Sequence, residues 1–193
     1  ESINYARRIQ SAILPDLDQI RAAFPDSFML YKPRDVVSGD FPWFVQRGED
    51  TYLAAVDCTG HGVPGALISL IGYFLLNNIV KNGLATAPGE ILDLLDESVT
   101  QTLKQDMGME DASRDGMDIV LCKVNQRERT LQYAAAHRPL YYVSEGGLQE
   151  IKGDKFPIGG GQYGKTRTHF TTTTLAIQPN DAVFFCSDGF PDQ

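Results

Sequence analysis

Three aspartates stand where apolar runs give way to glycine: Asp40 in Ser38-Gly39-Asp40-Phe41, Asp57 in Val56-Asp57-Cys58-Thr59-Gly60-His61-Gly62-Val63-Pro64-Gly65, and Asp188 in Ser187-Asp188-Gly189. Carboxylates at strand ends offer hard oxygen ligands, and with no His or Cys pair nearby in sequence to compete, they point to Mg2+ or Mn2+ rather than zinc. Two such ions about 3.5–4 Å apart can hold a bridging water, lower its pKa and stabilise in-line attack at phosphorus. Asp57 is the best placed of the three to bridge them. Each acid taken alone equally fits a plainer role as a helix cap or turn anchor. What favours the cation reading is the way the three are arranged.

That arrangement depends on the elements around them. Leu53-Ala54-Ala55-Val56 reads as a buried strand, Gly60 and Gly62 permit a tight turn, and Pro64 suits the first residue of a helix. Asp57 therefore closes a strand beside a helix N-terminus, which favours anions. The runs 41–46 and 51–56, joined by Arg47-Gly48-Glu49-Asp50, predict a hairpin. If Gln46 pairs with Thr51, paired positions sum to 97 and Asp40 falls opposite Asp57. Like charges so placed, roughly 5 Å apart, destabilise a sheet unless a cation lies between them. His61 reads as a turn or capping residue, with phosphate orientation or proton donation as the sharper alternative; His137 and His169 have no partner in sequence. Ser187 lacks the GxSxG elbow of serine hydrolases, and the 60–65 turn lacks the Gly-Lys-Ser/Thr of a P-loop.

Farther afield, residues 2–14 carry Ile3, Ala6, Ile9, Ala12 and Ile13 at helical spacing. Helices are also expected over 64–81 and 88–107, and strands over 27–32, 117–125, 130–136, 140–144, 148–151, 167–177 and 182–187, with loops at 108–116 and 156–161. Consecutive strand runs with helices grouped between them argue for stacked antiparallel sheets with helices outside, not for a doubly wound parallel sheet. The apolar run 63–80 is broken by Pro64, Gly65, Gly72, Asn77 and Asn78, and reads as a core helix rather than a membrane span. With 25 acidic against 17 basic residues and a net charge of −8, a general attraction to nucleic acid or anionic lipid is disfavoured. Cys58, Cys122 and Cys186 share no CxxC spacing and read as reduced thiols. With no signal-peptide pattern at the N-terminus, a cytoplasmic location is expected, including as part of a membrane-anchored sensor.

Several segments together, SINYARRIQSAILP at 2–15, VSGDF at 37–41, VDCTGHGVPGA at 56–66, DGMDIVL at 115–121, LQYAAAHRPL at 131–140, the 154–160 loop and FCSDGFPDQ at 185–193, carry a resemblance. Over nearly its whole length the chain resembles the bacterial PPM-type, metal-dependent serine/threonine phosphatases of the stage II sporulation protein E and sigma-factor regulator class. The resemblance implies an α+β fold, a four-layer αββα sandwich of two antiparallel sheets flanked by helices, with a linker helix at 1–15 and the phosphatase domain at 16–193. It implies Asp57 bridging two Mn2+ or Mg2+ ions, helped by the carbonyl of Cys58 where the family often has glycine, with Asp40 on the second metal and Asp188 on the first. A metal-bound water would then hydrolyse phosphoserine or phosphothreonine on an anti-sigma-factor antagonist (STAS-like) protein. An upstream sensory domain would exert control through the N-terminal helix, which also offers a homodimer contact. A phosphatase-like binding module without turnover is the alternative, and a hydrolase of small phosphate esters a third reading.

Three departures bear on the site. The family pattern continues to a further aspartate in a DDxT-like strand, and this sequence ends at Gln193 before it, so the sandwich is expected to lack its last strands and the first metal one ligand. Asp115 and Asp118 sit where relatives start a strand and are not assigned as ligands. His137 follows Ala136 where relatives often carry Gly-His, and is assigned a structural role.

Overall fold

Phe41, Trp43 and Val45 alternate with more exposed neighbours, so one face of strand β1 (Phe41–Arg47) is wholly apolar and buried. In the computed structural model, which describes residues 1–108, 112–161 and 169–189, this strand pairs antiparallel with β2 (Asp50–Cys58). Gln46 faces Thr51 and Phe41 faces Val56, the expected register. From β2 the sheet continues through β3 (Gly116–Asn125) to β4 (Thr130–Ala136). The chain then leaves to form β5 (Leu140–Ser144) and β6 (Gly147–Ile151). It returns as β7 (Ile158–Gly159) on β3 and β8 (Thr173–Ala176) on β4, and leaves again as β9 (Ala182–Phe184) on β5. Among the described residues the result is a six-stranded sheet stacked on a three-stranded sheet of order β6-β5-β9, every strand pair antiparallel.

Strand β3 shows why the layers stack. Ile119 and Leu121 point to one side and join a core with Trp43, Tyr52, Leu76, Ile79 and Leu92, whereas Val120 and Cys122 point to the other and meet Leu131, Tyr133 and Leu140. A strand apolar on both faces needs cover on both. Helices α3 (Gly62–Lys81) and α4 (Pro88–Thr102) cover one face of the large sheet, and the small sheet covers the other. Helix α3 is long and apolar enough to cross a membrane, yet Ile68, Leu76, Ile79 and Val80 are spent on the core of the protein. The α+β, two-sheet architecture is the one expected.

Some boundaries and one strand depart from expectation. Residues 27–32 form no strand: Pro25 and Pro33 bracket the segment, no strand among the described residues pairs with it, and Phe28 instead lays its ring 6.1 Å from that of Phe184. A short helix α2 (Leu17–Ala23), capped by the Asp16 side chain accepting from the Asp18 N–H, appears where no element was foreseen. Helix α3 begins at Gly62, placing Pro64 in its first turn, and α4 ends at Thr102, after which Gln105 turns inward to bond the Asp115 carbonyl. The threonine-rich strand is regular over Thr173–Ala176, and residues 167–168 of that expectation lie outside the described residues. The last strand stops at Phe184, which leaves Ser187 and Asp188 beyond it.

Helix α1 (Ser2–Ile13) forms as expected, but the face it buries is not its apolar stripe. Ile3 and Ile9 remain 40% and 47% exposed, and the one buried residue of the helix is Gln10. Both ends of its amide are used. Nε2 donates to the Ser38 carbonyl (2.6 Å) and to Ser69 Oγ (3.1 Å), and Oε1 accepts from the Ser38 N–H (2.9 Å). Truncation strands the backbone of Ser38 without partners, so Gln10→Ala is expected to lower unfolding free energy by about 1–3 kcal/mol in a urea titration. A loss within a few tenths of a kcal/mol would show that the clamp carries no stability.

Candidate active site

Asp57 stands near the end of β2 with Asp118 directly across from it on β3. The β1–β2 register, carried one residue past Phe41, sets Asp40 on its other side. Three carboxylates thus share one end of the large sheet as a consequence of strand pairing alone. The turn after β9 brings the fourth: the Asp188 N–H donates to Asp57 Oδ2 (3.2 Å) and Ser187 Oγ donates to Asp40 Oδ2 (2.7 Å). The sequence-predicted acids Asp40, Asp57 and Asp188 are therefore brought together, from three separate segments.

Glycine makes the approach possible. A Cβ on Gly65 would lie 2.5 Å from the Gly60 carbonyl oxygen and 3.1 Å from Gly39 Cα, and a Cβ on Gly39 would lie 2.8 Å from the same oxygen and 3.1 Å from the Cys58 carbonyl oxygen. The segment leading to Asp40 therefore rests directly on the backbone of the 58–65 turn, with no side chain between. Gly60, with φ of 83°, adopts a backbone conformation that L side chains rarely take. Thr59 ties the turn to the start of β3, its N–H and hydroxyl both on the Gly116 carbonyl (2.9 and 3.1 Å). His61 makes no capping bond at the α3 N-terminus; it pairs with Asp35 (3.0 Å) and stays exposed.

The cation at the centre comes from the chain itself. Arg138 Nη2 lies 3.2 Å from Asp57 Oδ2, 3.1 Å from Asp118 Oδ2 and 3.2 Å from Asp188 Oδ2. His137, at φ 61°, makes the left-handed turn after β4 that aims this side chain back across the sheet end, and its Nδ1 sits 2.9 Å from Asp118 Oδ1. Asp115 faces elsewhere, bonded to Ser113. Burial, then the charges of Asp40 and Asp188, push the Asp57 carboxyl from 3.8 up to about 7, against the lowering effect of the Asp188 N–H and Arg138. For Arg138, burial works against the charge but Asp57, Asp118 and Asp188 outweigh it, so its pKa is raised. Neighbouring acids act in both shifts, adding to burial at Asp57 and overriding it at Arg138. Burial, helped by Asp40 and Asp57, also pushes the Cys58 thiol well above its ordinary range, so that the buried sulfur stays protonated and any ligand from this residue is its carbonyl.

Among the described residues no three acid, histidine or cysteine side chains already converge as a coordination shell. The donor chemistry nevertheless fits a hard divalent ion: the side chains that converge here are carboxylates, and burial with the neighbouring acids raises the pKa of Asp57, a shift that a bound cation would oppose.

The sequence profile of the family Stage II sporulation protein E (SpoIIE) matches residues 47–193. The chain belongs to the SpoIIE family. Among solved structures, the PP2C domain of SiaA from Pseudomonas aeruginosa is 33% identical, with a TM-score of 0.82 over 100% of this chain and 72% of that one. The RsbU and RsbW domains of a Mycobacterium tuberculosis protein are 20% identical, with a TM-score of 0.57 over 78% of this chain and 38% of theirs. RsbX in complex with magnesium is 15% identical, with a TM-score of 0.58 over 84% of this chain and 72% of that one. The last two show the fold alone. No curated protein matches by sequence.

Within this SpoIIE-family domain, sequence reasoning missed Asp118 and Arg138 as members of the acid cluster. The signal for Asp118 was available, since it lies one strand over from Asp57 in a register set by the β2–β3 ladder. None marked Arg138.

Two outcomes follow from these contacts. Gly65→Ala forces Gly60 and Gly39 apart and is expected to cost about 1–3 kcal/mol in denaturant melts, whereas a loss below about 0.5 kcal/mol would mean the turn has room. For Asp57 the folded pKa lies above the unfolded value, so the native state binds more protons between about pH 4 and 7 and stability falls as pH rises through that window. In chelator, the melting temperature is expected to drop from pH 5 to pH 8, and Asp57→Asn to flatten the slope. An unchanged slope in the variant would place the titration elsewhere.

Proposed function

We propose that this SpoIIE-family domain is a metal-dependent protein serine/threonine phosphatase in which Asp40, Asp57 and Asp188 hold two Mn2+ or Mg2+ ions, Asp57 between them, with the Cys58 carbonyl lending a further oxygen. The observation that carries the proposal is the convergence of these acids, from three separate segments, at one end of a PP2C-like pair of sheets. Bound there, the ions would supply a water of lowered pKa and polarise the phosphoryl oxygens. The protein's own part is positional. Ser187 orients Asp40, the Asp188 N–H orients Asp57, and Thr59 fixes the turn that carries Cys58. Exposure is graded, Asp57 at 15% and Asp188 at 51% by side chain, so the cluster opens to solvent on the Asp188 side, where a phosphorylated side chain would enter.

The substrate this reading takes is a phosphorylated STAS-like antagonist and the cofactor Mg2+ or Mn2+, as the family resemblance implies; one structure of the same fold is a magnesium complex. The exposed Ile3, Tyr5 and Ile9 of α1 support contact with an upstream sensory domain or a second copy, with 1–15 as linker and 16–193 as the phosphatase domain. Cys58 and Cys122, buried as free thiols, suit a cytoplasmic setting. One observation favours a binding module without turnover: the guanidinium of Arg138 already stands among three of the acids.

Addition of Mn2+ with p-nitrophenyl phosphate is expected to give hydrolysis that chelator stops, and Asp57→Ala to reduce kcat by about 10²-fold or more. A phosphoprotein is expected to turn over faster than free phosphoserine. Turnover that persists undiminished in Asp57→Ala, or no turnover of either substrate at any divalent-ion concentration, would overturn the proposal.

A further inference from the structure

We infer that Arg138 sets the metal affinity of the site by competing, through its fixed charge, for the carboxylate oxygens that a divalent ion must use. The inference rests on the reading of Asp57 and Asp188 as cation ligands. Its basis is geometric. One nitrogen, Nη2, lies within 3.2 Å of Oδ2 atoms from Asp57, Asp118 and Asp188, carried by β2, β3 and the turn after β9. A guanidinium is a poor substitute for a metal ion in one respect, since its donors point in fixed directions and cannot all reach the same acids. Here that shows in Nε, which is buried without a hydrogen-bond partner among the described residues.

Arg138 is thus held by charge more than by complementary bonding, and charge is what a divalent ion supplies in greater measure. Asp118 gives it somewhere to go. Its Oδ1 is held by His137 (2.9 Å) while Oδ2 receives Arg138, so the arginine can keep this partner while releasing Asp57 and Asp188. Because arginine does not lose its proton at any working pH, the competition is a constant of the site rather than a switch. Neutral replacement removes the competitor and raises the local negative charge, and both changes strengthen cation binding.

Isothermal titration of the whole chain with Mn2+ alone tests this, on the wild type and on Arg138→Met, Arg138→Gln and Arg138→Lys. The Met and Gln variants are expected to bind Mn2+ about tenfold more tightly than wild type, and Arg138→Lys, which keeps the charge, to stay near it. In chelator the two neutral variants are expected to melt below wild type, their acids being uncompensated, and Mn2+ to raise their melting temperature by more than it raises that of wild type. Circular dichroism establishes that each variant is folded, and Gln, which can still bond a carboxylate, covers the case in which Met does not fold. If wild type binds Mn2+ and the neutral variants bind it equally or more weakly, the inference fails alone. If neither wild type nor the neutral variants take up Mn2+, the reading of the acids as ligands fails and the inference with it.

Discussion

Four carboxylates gathered at one end of a protein repel one another, and most of the architecture can be understood as the means of holding them there. Strand pairing supplies the first constraint. Antiparallel ladders have no freedom to slide by one residue without turning every side chain to the opposite face, and β1, β2 and β3 bury Trp43, Tyr52, Ile119 and Leu121 on the helix side. The apolar core therefore fixes where Asp57 and Asp118 lie and sets the approach of Asp40, although none of the three belongs to it. Hydrophobic burial sets the electrostatics.

The small sheet adds the fourth acid and the counterion. β5 and β9 pair with each other and pack on the back of the large sheet, which brings the Ser187-Asp188 turn over the end of β2. Arg138, on the connection between β4 and β5, lies where the two sheets meet. The same feature thus joins the sheets and offsets part of the acids' charge, so packing and electrostatics meet at one place.

Much of this was legible from residue order. The hairpin register followed from a short turn between two strand-like runs, and the acids stood out because each met glycine at the edge of an apolar run. Arg138 did not, since its three partners come from β2, β3 and the far end of the chain and its turn passes through His137 in a left-handed conformation that no glycine marks. Residues 27–32 show the opposite error: their apolar run suited a strand, but a strand also needs a neighbour, and between flanking prolines the segment is held instead by the aromatic contact of Phe28 with Phe184 and the bond from the Tyr31 hydroxyl to the Asp40 carbonyl. Gln10 was hidden for a third reason. A glutamine in an amphipathic helix reads as surface, and only the carbonyl and N–H of Ser38 show why it is buried.

The contact of Gly39, Gly60 and Gly65 has a mechanical side. Where side chains separate two elements, rotamer changes can absorb a shift of a few tenths of an ångström; where backbone rests on backbone, nothing compressible intervenes. The start of α3, the turn after Asp57 and the segment leading to Asp40 consequently behave as one stiff block. A slide of α3 along its axis would therefore alter the spacing of Asp40 and Asp57, and the bonds of Gln10 to Ser69 and Ser38 set α1 against the same block.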